Sequence, residues 1–365
     1  MRIAITGSRG IPNNYGGYEQ CAENLAVLLV KSGHEVTVYN PHYHEYKQDN
    51  FHGVRIVTKW NPEKTIGTPA NFIYDYLCMQ HALKEKCDIL LVLGYTTASF
   101  FFPVLHKRKS ILVTNMDGLE WKRDKWNAVV KKLAKWFESL GAKYSDHLVS
   151  DNIEIKNYLL KEYNKDSTFI PYGADVFDQP DEQILKEYDL EKGNYDLLVA
   201  RLEKENNIEI TLDGIVLSGA GTPFLVIGKH HTAYGQYLKN KYKAYKNIRF
   251  MGGIYNLPHL NNIRWFGRYY FHGHSVGGTN PSLLEAMASG SYIFSHDNLF
   301  SHNVLGEHAW YYKTPEDIAT LLADIPKLEE KRKLFGDVQR EKIKQQYNWK
   351  KVAGEYEALF KKVVR

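Results

Sequence analysis

An α/β protein of two parallel-sheet domains is predicted by three features of the 365-residue sequence. The length exceeds what one hydrophobic core usually covers. Short apolar runs alternate with amphipathic segments, the pattern of βα units and a parallel sheet. That alternation restarts after Pro171-Tyr172-Gly173, across a polar, acidic stretch at 178–192. The expected strands of the first half are Arg2–Thr6, Glu35–Tyr39, Ile89–Leu93, Ser110–Thr114, His147–Val149 and Thr168–Ile170. Those of the second half are Asp196–Ala200, Pro223–Ile227, Ile248–Met251, Tyr269–His272 and Ser291–Phe294. Helical patterns lie between them, for example Glu19–Lys31 and Ile318–Leu328. Residues 1–175 form one Rossmann-like domain, 176–345 a second, and 346–365 an amphipathic closing helix with Trp349, Val352, Tyr356 and Phe360 on one face.

The composition is that of an ordinary globular chain: 44% hydrophobic, 24% charged, without low-complexity tracts or repeats. The opening MRIAITGSRG lacks a signal peptide's basic-then-apolar layout. Cys21, Cys78 and Cys87 have no zinc-type or CxxC spacing, which suits a reducing cytoplasm. Ile89–Leu105 carries no charge, yet Gly94 and Pro103 divide it into strand, loop and short helix rather than a membrane span. The mild net charge of +5 is local. Between Trp121 and Lys143 stand seven bases (Lys122, Arg123, Lys125, Lys131, Lys132, Lys135, Lys143) against Asp124 and Glu138.

In open α/β sheets ligands gather at the carboxyl ends of the strands. There lie Gly7–Gly17, Asn115–Asp117, Ser150–Asn152 and Tyr172-Gly173 in the first half, and Arg201, Gly228-Lys229 and His272–His274 in the second. The first loop fits neither G-x-G-x-x-G nor a Walker loop. With Gly16, Gly17, Tyr18 and Glu19 opening a helix, it is either a phosphate- or sugar-approaching loop or a plain structural one. Residues 272–290, HGHSVGGTNPSLLEAMASG, say more. Asn280 is an N-cap, Pro281 a first helical residue, and Gly290 suits the helix end. A helix starting after a glycine loop at a strand end presents free N–H groups and a positive dipole to a diphosphate. Glu285, one turn inside, is placed to accept from a ribose diol; the alternative is a capped structural helix with a surface glutamate.

At these motifs the chain resembles retaining glycosyltransferases of the GT-B fold, family 4. The C-terminal half shares Ala200-Arg201-Leu202, the glycine loop Val276–Thr279, Leu283–Gly290 and a terminal helix begun by Tyr347–Trp349. The N-terminal motifs are similar to a subgroup that includes the streptococcal β-1,4-rhamnosyltransferases of capsule and group-polysaccharide assembly. These motifs are Gly7–Pro12, Tyr15–Glu19, Asn71–Leu77 and Asn115–Arg123. The resemblance implies two domains facing across a cleft, with the closing helix returning to the N-terminal one. It implies transfer of L-rhamnose from dTDP-rhamnose to a lipid-diphosphate-linked saccharide, at the cytoplasmic face of the plasma membrane. Other nucleotide-sugar donors, a sugar-nucleotide epimerase and a non-catalytic binding protein remain alternatives.

Donor binding is expected from Arg201, Asn206, His274, Gly277, Gly278, Thr279, Asn280, Ser282 and Glu285. Two positions depart from the family: Asn206 stands where a lysine is common, and Gly277 where the first glutamate of a Glu-x7-Glu pair is common. No Asp-x-Asp occurs, and His272 and His274 have no third ligand at suitable spacing. No metal or cofactor is therefore expected, and the leaving diphosphate would meet Arg201, backbone amides and the helix dipole. Asp117 and Asp151 are candidate general bases, or caps of the helices after them. Arg123 and Tyr172 join them as acceptor-site candidates. The basic segment 121–143 reads as a helix with Trp126, Val129, Val130, Leu133, Phe137 and Leu140 packed inward. Lys131, Lys132 and Lys135 then lie opposite, solvated or facing an anionic membrane surface. No nucleic-acid-binding module accompanies the charge.

Overall fold

The computed structural model describes residues 1–105, 108–123 and 126–364, at residue 326 the backbone only. Asp124 and Lys125, two charges of the basic segment, lie outside the described residues. The chain divides into two compact units. One is Met1–Lys122, Trp126–Tyr172 and Trp349–Arg365; the other is Gly173–Asn348 with the short piece Arg123–Lys125.

The first unit is built on β1 (Arg2–Thr6), β2 (Glu35–Pro41), β3 (Asn50–Phe51), β4 (Val54–Lys59), β5 (Ile89–Leu93), β6 (Ile111–Asn115), β7 (His147–Ser150) and β8 (Thr168–Phe169). Their order is β3-β4-β2-β1-β5-β6-β7-β8, parallel except for β3 against β4. Ile3 pairs with Val36 on one side and Ile89 on the other, so chain order reverses direction at β1. All five residues of β5 are buried, as an unbroken apolar run in a doubly covered parallel sheet requires.

The second unit has β9 (Asp196–Val199), β10 (Phe224–Ile227), β11 (Ile248–Gly252), β12 (Tyr270–His272), β13 (Ile293–His296) and β14 (Trp310–Tyr312). The order is β11-β10-β9-β12-β13-β14, parallel throughout. Its core gathers Leu198, Leu212, Phe224, Phe271 and Phe294. Here the order reverses between β9 and β12.

Three expectations need correction. The hairpin β3–β4 was not foreseen, because its tight turn is His52-Gly53, both with positive φ (49° and 88°). That is the geometry usually signalled by Asn-Gly or Asp-Gly. The single helix expected at 318–328 is two, Pro315–Ala323 and Ile325–Gln346; the Asp324 carboxylate accepts from the Lys327 N–H and starts the second. The basic helix, Ala128–Tyr144, is turned about its axis relative to the expected packing. Ala134, Phe137, Glu138, Gly141 and Ala142 point inward, while Val129, Leu133 and Trp136 are exposed.

The cause of that rotation is Glu138. Buried in the core, it accepts from the Tyr95 hydroxyl (3.1 Å), the Trp121 Nε1 (3.1 Å) and the Tyr163 hydroxyl (2.7 Å), as well as from Tyr158. Lys135 turns in with it, 3.2 Å from Glu138 and 2.9 Å from Glu162, its ammonium over the rings of Trp121, Tyr158 and Tyr163. A buried carboxylate needs all these donors. Satisfying it therefore outweighs the burial of three apolar residues on the other face.

The closing helix, Trp349–Val363, belongs to the first unit, burying Trp349, Val352, Tyr356 and Phe360. Tyr356 receives a hydrogen bond from Asn115 Nδ2 (3.3 Å), and Glu357 pairs with His34 (3.0 Å).

Where β1 and β5 part, the chain passes so closely that a Cβ on Gly7 would lie 2.2 Å from the Leu93 carbonyl oxygen, at φ +86°. Gly7→Ala should therefore cost about 2 kcal/mol or more. In thermal unfolding followed by circular dichroism, that is a fall of roughly 4–8 °C for a unit of this size. An unchanged melting temperature would mean the strand ends are less closely packed than described.

Candidate functional site

The loops that follow β9 and β12 in the second unit are stitched together by backbone contacts. Asn207 Nδ2 donates to the Gly273 carbonyl (2.8 Å). The Ser275 N–H and hydroxyl donate to the Glu205 carbonyl (3.1 and 2.9 Å). A Cβ on Gly273 would lie 2.1 Å from the Asn206 carbonyl oxygen, so only glycine allows this approach. Asn206 is spent inside this joint. Its Nδ2 donates to the Arg201 carbonyl (2.6 Å), and its Oδ1 lies 2.7 Å from His274 Nδ1. The role carried by a lysine in the resembled family is thus not open to Asn206, which is itself buried.

Gly277 has φ +136°, and a Cβ there would lie 2.8 Å from His274 Nε2. A glutamate would be strained and would collide with the histidine, so glycine at this position and His274 go together. Gly278 and Thr279 follow, buried, and lead into the helix Pro281–Ala288. Asn280 caps it, accepting from the Ser282 N–H (2.9 Å). The Ser282 hydroxyl faces protein: the Tyr270 hydroxyl lies at 2.7 Å, it receives from Arg264 (3.2 Å), and it donates to the Val199 carbonyl (3.2 Å). Ser282 therefore ties the helix to β9 rather than offering its hydroxyl to a ligand.

Arg264, on the helix Leu257–Phe266, is only 1% exposed and lies 2.6 Å from a Glu285 carboxylate oxygen. A fully desolvated guanidinium with a fixed fork holds that carboxylate in one orientation. Arg201 is exposed beyond β9. Arg123 counts with this unit and not with the acceptor-side candidates, pairing with buried Glu205 at 3.6 Å. Burial, then the charges of His272, Arg123 and Arg201, hold the His274 imidazole well below its usual range. Burial pushes His272 down to about 3. Neutral imidazoles and two arginines thus border the glycine loop.

In the first unit, Asp117 follows β6 and is half-exposed. Tyr172, buried after β8, donates its hydroxyl to Asp117 Oδ2 (2.8 Å). Burial first, and the nearby Asp117 charge next, push the Tyr172 phenol well above its ordinary value, so it stays a donor. Asp151 follows β7 but is wholly buried, which removes the access to a substrate hydroxyl that a general base needs. The cap of the next helix, Ile153–Tyr163, is Asn152, which accepts from the Glu154 N–H. In the glycine loop after β1, Gly16 precedes the helix Gly17–Lys31 in extended backbone, and Tyr18 lies against Gly94. Glu19 is buried in that helix's first turn and accepts from the Arg9 N–H (2.6 Å). A carboxylate already occupying a helix N-terminus repels a phosphate there, so the phosphate reading of this loop loses its support.

Among the described residues, no three His, Cys, Asp or Glu side chains come together to hold a metal ion. No helix among them is long and apolar enough to cross a membrane.

Comparison with solved structures covers nearly the whole chain. Sucrose-phosphate synthase from Thermosynechococcus elongatus superposes with a TM-score of 0.81 at 13% identity, over 99% of this chain and 98% of that one. WaaG, a glycosyltransferase involved in lipopolysaccharide biosynthesis, gives 0.74 at 14% identity, over 98% and 99%. Anabaena Alr3699/HepE in complex with UDP-glucose gives 0.74 at 11%, over 98% and 99%. The fold is GT-B. Within this GT-B chain, residues 1–175 match the family model described as a domain of unknown function, DUF1972. An uncharacterized glycosyltransferase, MJ1069, from Methanocaldococcus jannaschii is 24% identical over 61% of this chain. The chain spans 60% of that relative's length.

Arg264 and Glu205 were not anticipated. Arg264 sits in a helix whose polar residues read as surface, and nothing local marks a buried cation. Glu205 lies among charged neighbours, Glu203 and Lys204, which read as a solvated turn.

The depressed histidines set a pH dependence. Near pH 6.5 and below, the unfolded chain binds protons at His272 and His274 that the folded GT-B unit does not. Their contribution to stability is therefore complete above that pH and falls as pH drops through it. Melting temperature measured from pH 7.5 to 5 should decline with a slope of up to about 1.4 kcal/mol per pH unit per histidine. The double change His272→Gln, His274→Gln should flatten the curve, and an equally steep curve in that variant would contradict the assignment.

Proposed function

We propose that this chain is a metal-independent, retaining glycosyltransferase that takes a nucleotide-sugar donor on the second unit. The observation that carries the reading is the coincidence at the β9–β12 reversal of four things: a glycine loop, the capped start of the helix Pro281–Ala288, exposed Arg201, and a Glu285 carboxylate oriented by buried Arg264. The helix amides and Arg201 would meet the diphosphate, and Glu285 would accept from the ribose diol. The acceptor oxygen bonds to the anomeric carbon as the bond from that carbon to the diphosphate breaks. The electron pair leaves with the nucleoside diphosphate, and the hydroxyl proton passes to Asp117. Tyr172 positions Asp117, and Asp151 stays a buried neighbour.

The donor is dTDP-L-rhamnose and the acceptor a lipid-diphosphate-linked saccharide of polysaccharide assembly. This finer reading rests on the N-terminal motifs Gly7–Pro12, Tyr15–Glu19, Asn71–Leu77 and Asn115–Arg123. A uridine-linked donor is the second reading, favoured by the UDP and UDP-glucose bound to the Anabaena neighbour.

The test is a panel of dTDP-, UDP- and GDP-sugars with lipid-linked acceptors, in excess EDTA. Transfer should persist under chelation. Glu285→Gln and Arg201→Ala should each lower kcat/KM about ten- to hundredfold, the worth of one charge-assisted hydrogen bond. Asp117→Asn should lower kcat. Turnover of donor without acceptor would point to an epimerase, and tight donor binding without turnover to a binding protein. Unchanged kinetics in both donor-side variants would remove those residues from the site.

A further inference from the structure

The rotation of the helix Ala128–Tyr144 leaves an apolar surface on the first unit that the catalytic reading does not use. Val129 (67% exposed), Leu133 and Trp136 (47%) recur at helical spacing on its outer side. Beside them the turn Ala98–Phe101 and the helix Phe102–Leu105 expose Phe100 and Val104 (73%), and the helix Ala70–Lys84 exposes Ile73. These side chains form one surface: the Phe100 ring lies 6.1 Å from Trp136 and 5.8 Å from Phe72. Single exposed apolar residues are ordinary, whereas a contiguous group marks something that covers it.

Charge indicates what that is. Residues 98–105 carry no charge, and residues 128–137 carry only Lys131, Lys132 and Lys135. The first acid after them, Glu138, is buried, and so is Asp75 on the neighbouring helix. Lys135 is held in its cage of rings, and Lys131 and Lys132 border the apolar face, Lys132 exposed. A two-fold contact between copies would bring the lysines of this helix against their own counterparts. Aromatic and aliphatic side chains rimmed by bases, on a helix lying along the surface, match an anionic lipid–water interface. We infer that the face formed by Phe100, Val104, Val129, Leu133 and Trp136 seats the protein on an anionic bilayer, with Lys131 and Lys132 toward the headgroups. The apolar residues enter the interface and the lysines assist, the reverse of a helix that docks by its lysines with the apolar side packed inward. A lipid-linked acceptor would be met at such a surface, yet the inference stands on the surface alone.

The experiment is cosedimentation of the full chain with vesicles of phosphatidylcholine and phosphatidylglycerol, with no donor or acceptor present. Failure of the transferase reading would therefore not affect it. Leu133→Ser with Trp136→Ser should lower partitioning at least about tenfold. Val104→Ser with Val129→Ser, at the most exposed positions, should act in the same direction with an unchanged melting temperature. Lys131→Gln with Lys132→Gln should cost roughly fivefold per lysine at low salt, a difference that fades as salt rises. The inference is overturned if the wild type ignores anionic vesicles, or if folded forms of both apolar variants bind as well as it does. It is also overturned if sedimentation equilibrium shows a dimer that Leu133→Ser with Trp136→Ser dissociates, since a second copy would then own the face.

Discussion

The Asn206 carbonyl oxygen and the Cα of Gly273 touch where β9 and β12 diverge, because no Cβ fits between them. That contact follows from topology. Two parallel strands that lie side by side but lead away to opposite faces open a crevice at their carboxyl ends. The loops leaving them must either fill the crevice or line it. Here they line it, sealed at the base by Asn207 to Gly273, Ser275 to Glu205 and Asn206 to His274. With that seal in place, the glycine loop has no freedom to settle onto the helix start. Gly277 lies against the His274 imidazole, with no room for a side chain between them.

The same seal explains two substitutions relative to the resembled family. Asn206 gives up a lysine's charge and in return closes the joint from both ends of its amide. Gly277 gives up a carboxylate because His274 occupies the space that a side chain would need. Both positions meet at one imidazole, Asn206 Oδ1 lying 2.7 Å from His274 Nδ1 and Gly277 lying against Nε2. A lysine at 206 would set a further cation against His274, already beside Arg123 and Arg201. Arg264, from the helix Leu257–Phe266, reaches both Glu285 and Ser282 with its guanidinium.

The sheets were legible in the sequence because buried parallel strands are continuous apolar runs, and β1, β5, β10 and β12 all read that way. The capped start at Asn280-Pro281 was legible because cap chemistry is local. What escaped was long-range. Arg264 and Glu285 are 21 residues apart in sequence, and neither neighbourhood betrays the pair. Asp117 and Asp151 look alike as aspartates after adjacent strands. What separates them is burial, since Asp151 is fully enclosed and Asp117 is partly open, and burial is decided by the folded chain rather than by the neighbouring residues in sequence. The facing of the helix Ala128–Tyr144 was misread for the same reason. Its apolar pattern admits two rotations, and the choice between them is made by hydroxyl and indole donors that reach Glu138 from three other segments.

Glu138 also bears on chemistry at a distance. Tyr95, which donates to it, lies with the same hydroxyl 3.4 Å from the Gly118 carbonyl and from the Glu120 N–H. The loop that carries Asp117 is thus fastened on one side to the Glu138 network and on the other to Tyr172. A carboxylate held from two sides loses little further freedom on meeting a hydroxyl, which is how a rigid scaffold contributes to proton transfer. The buried acid that turns the helix Ala128–Tyr144 apolar side outward also stiffens the ground beneath Asp117. One unit therefore presents a fixed carboxylate at its strand ends and an apolar, cationic face alongside. Both arise from a single demand, that a charge in the core be fully hydrogen-bonded.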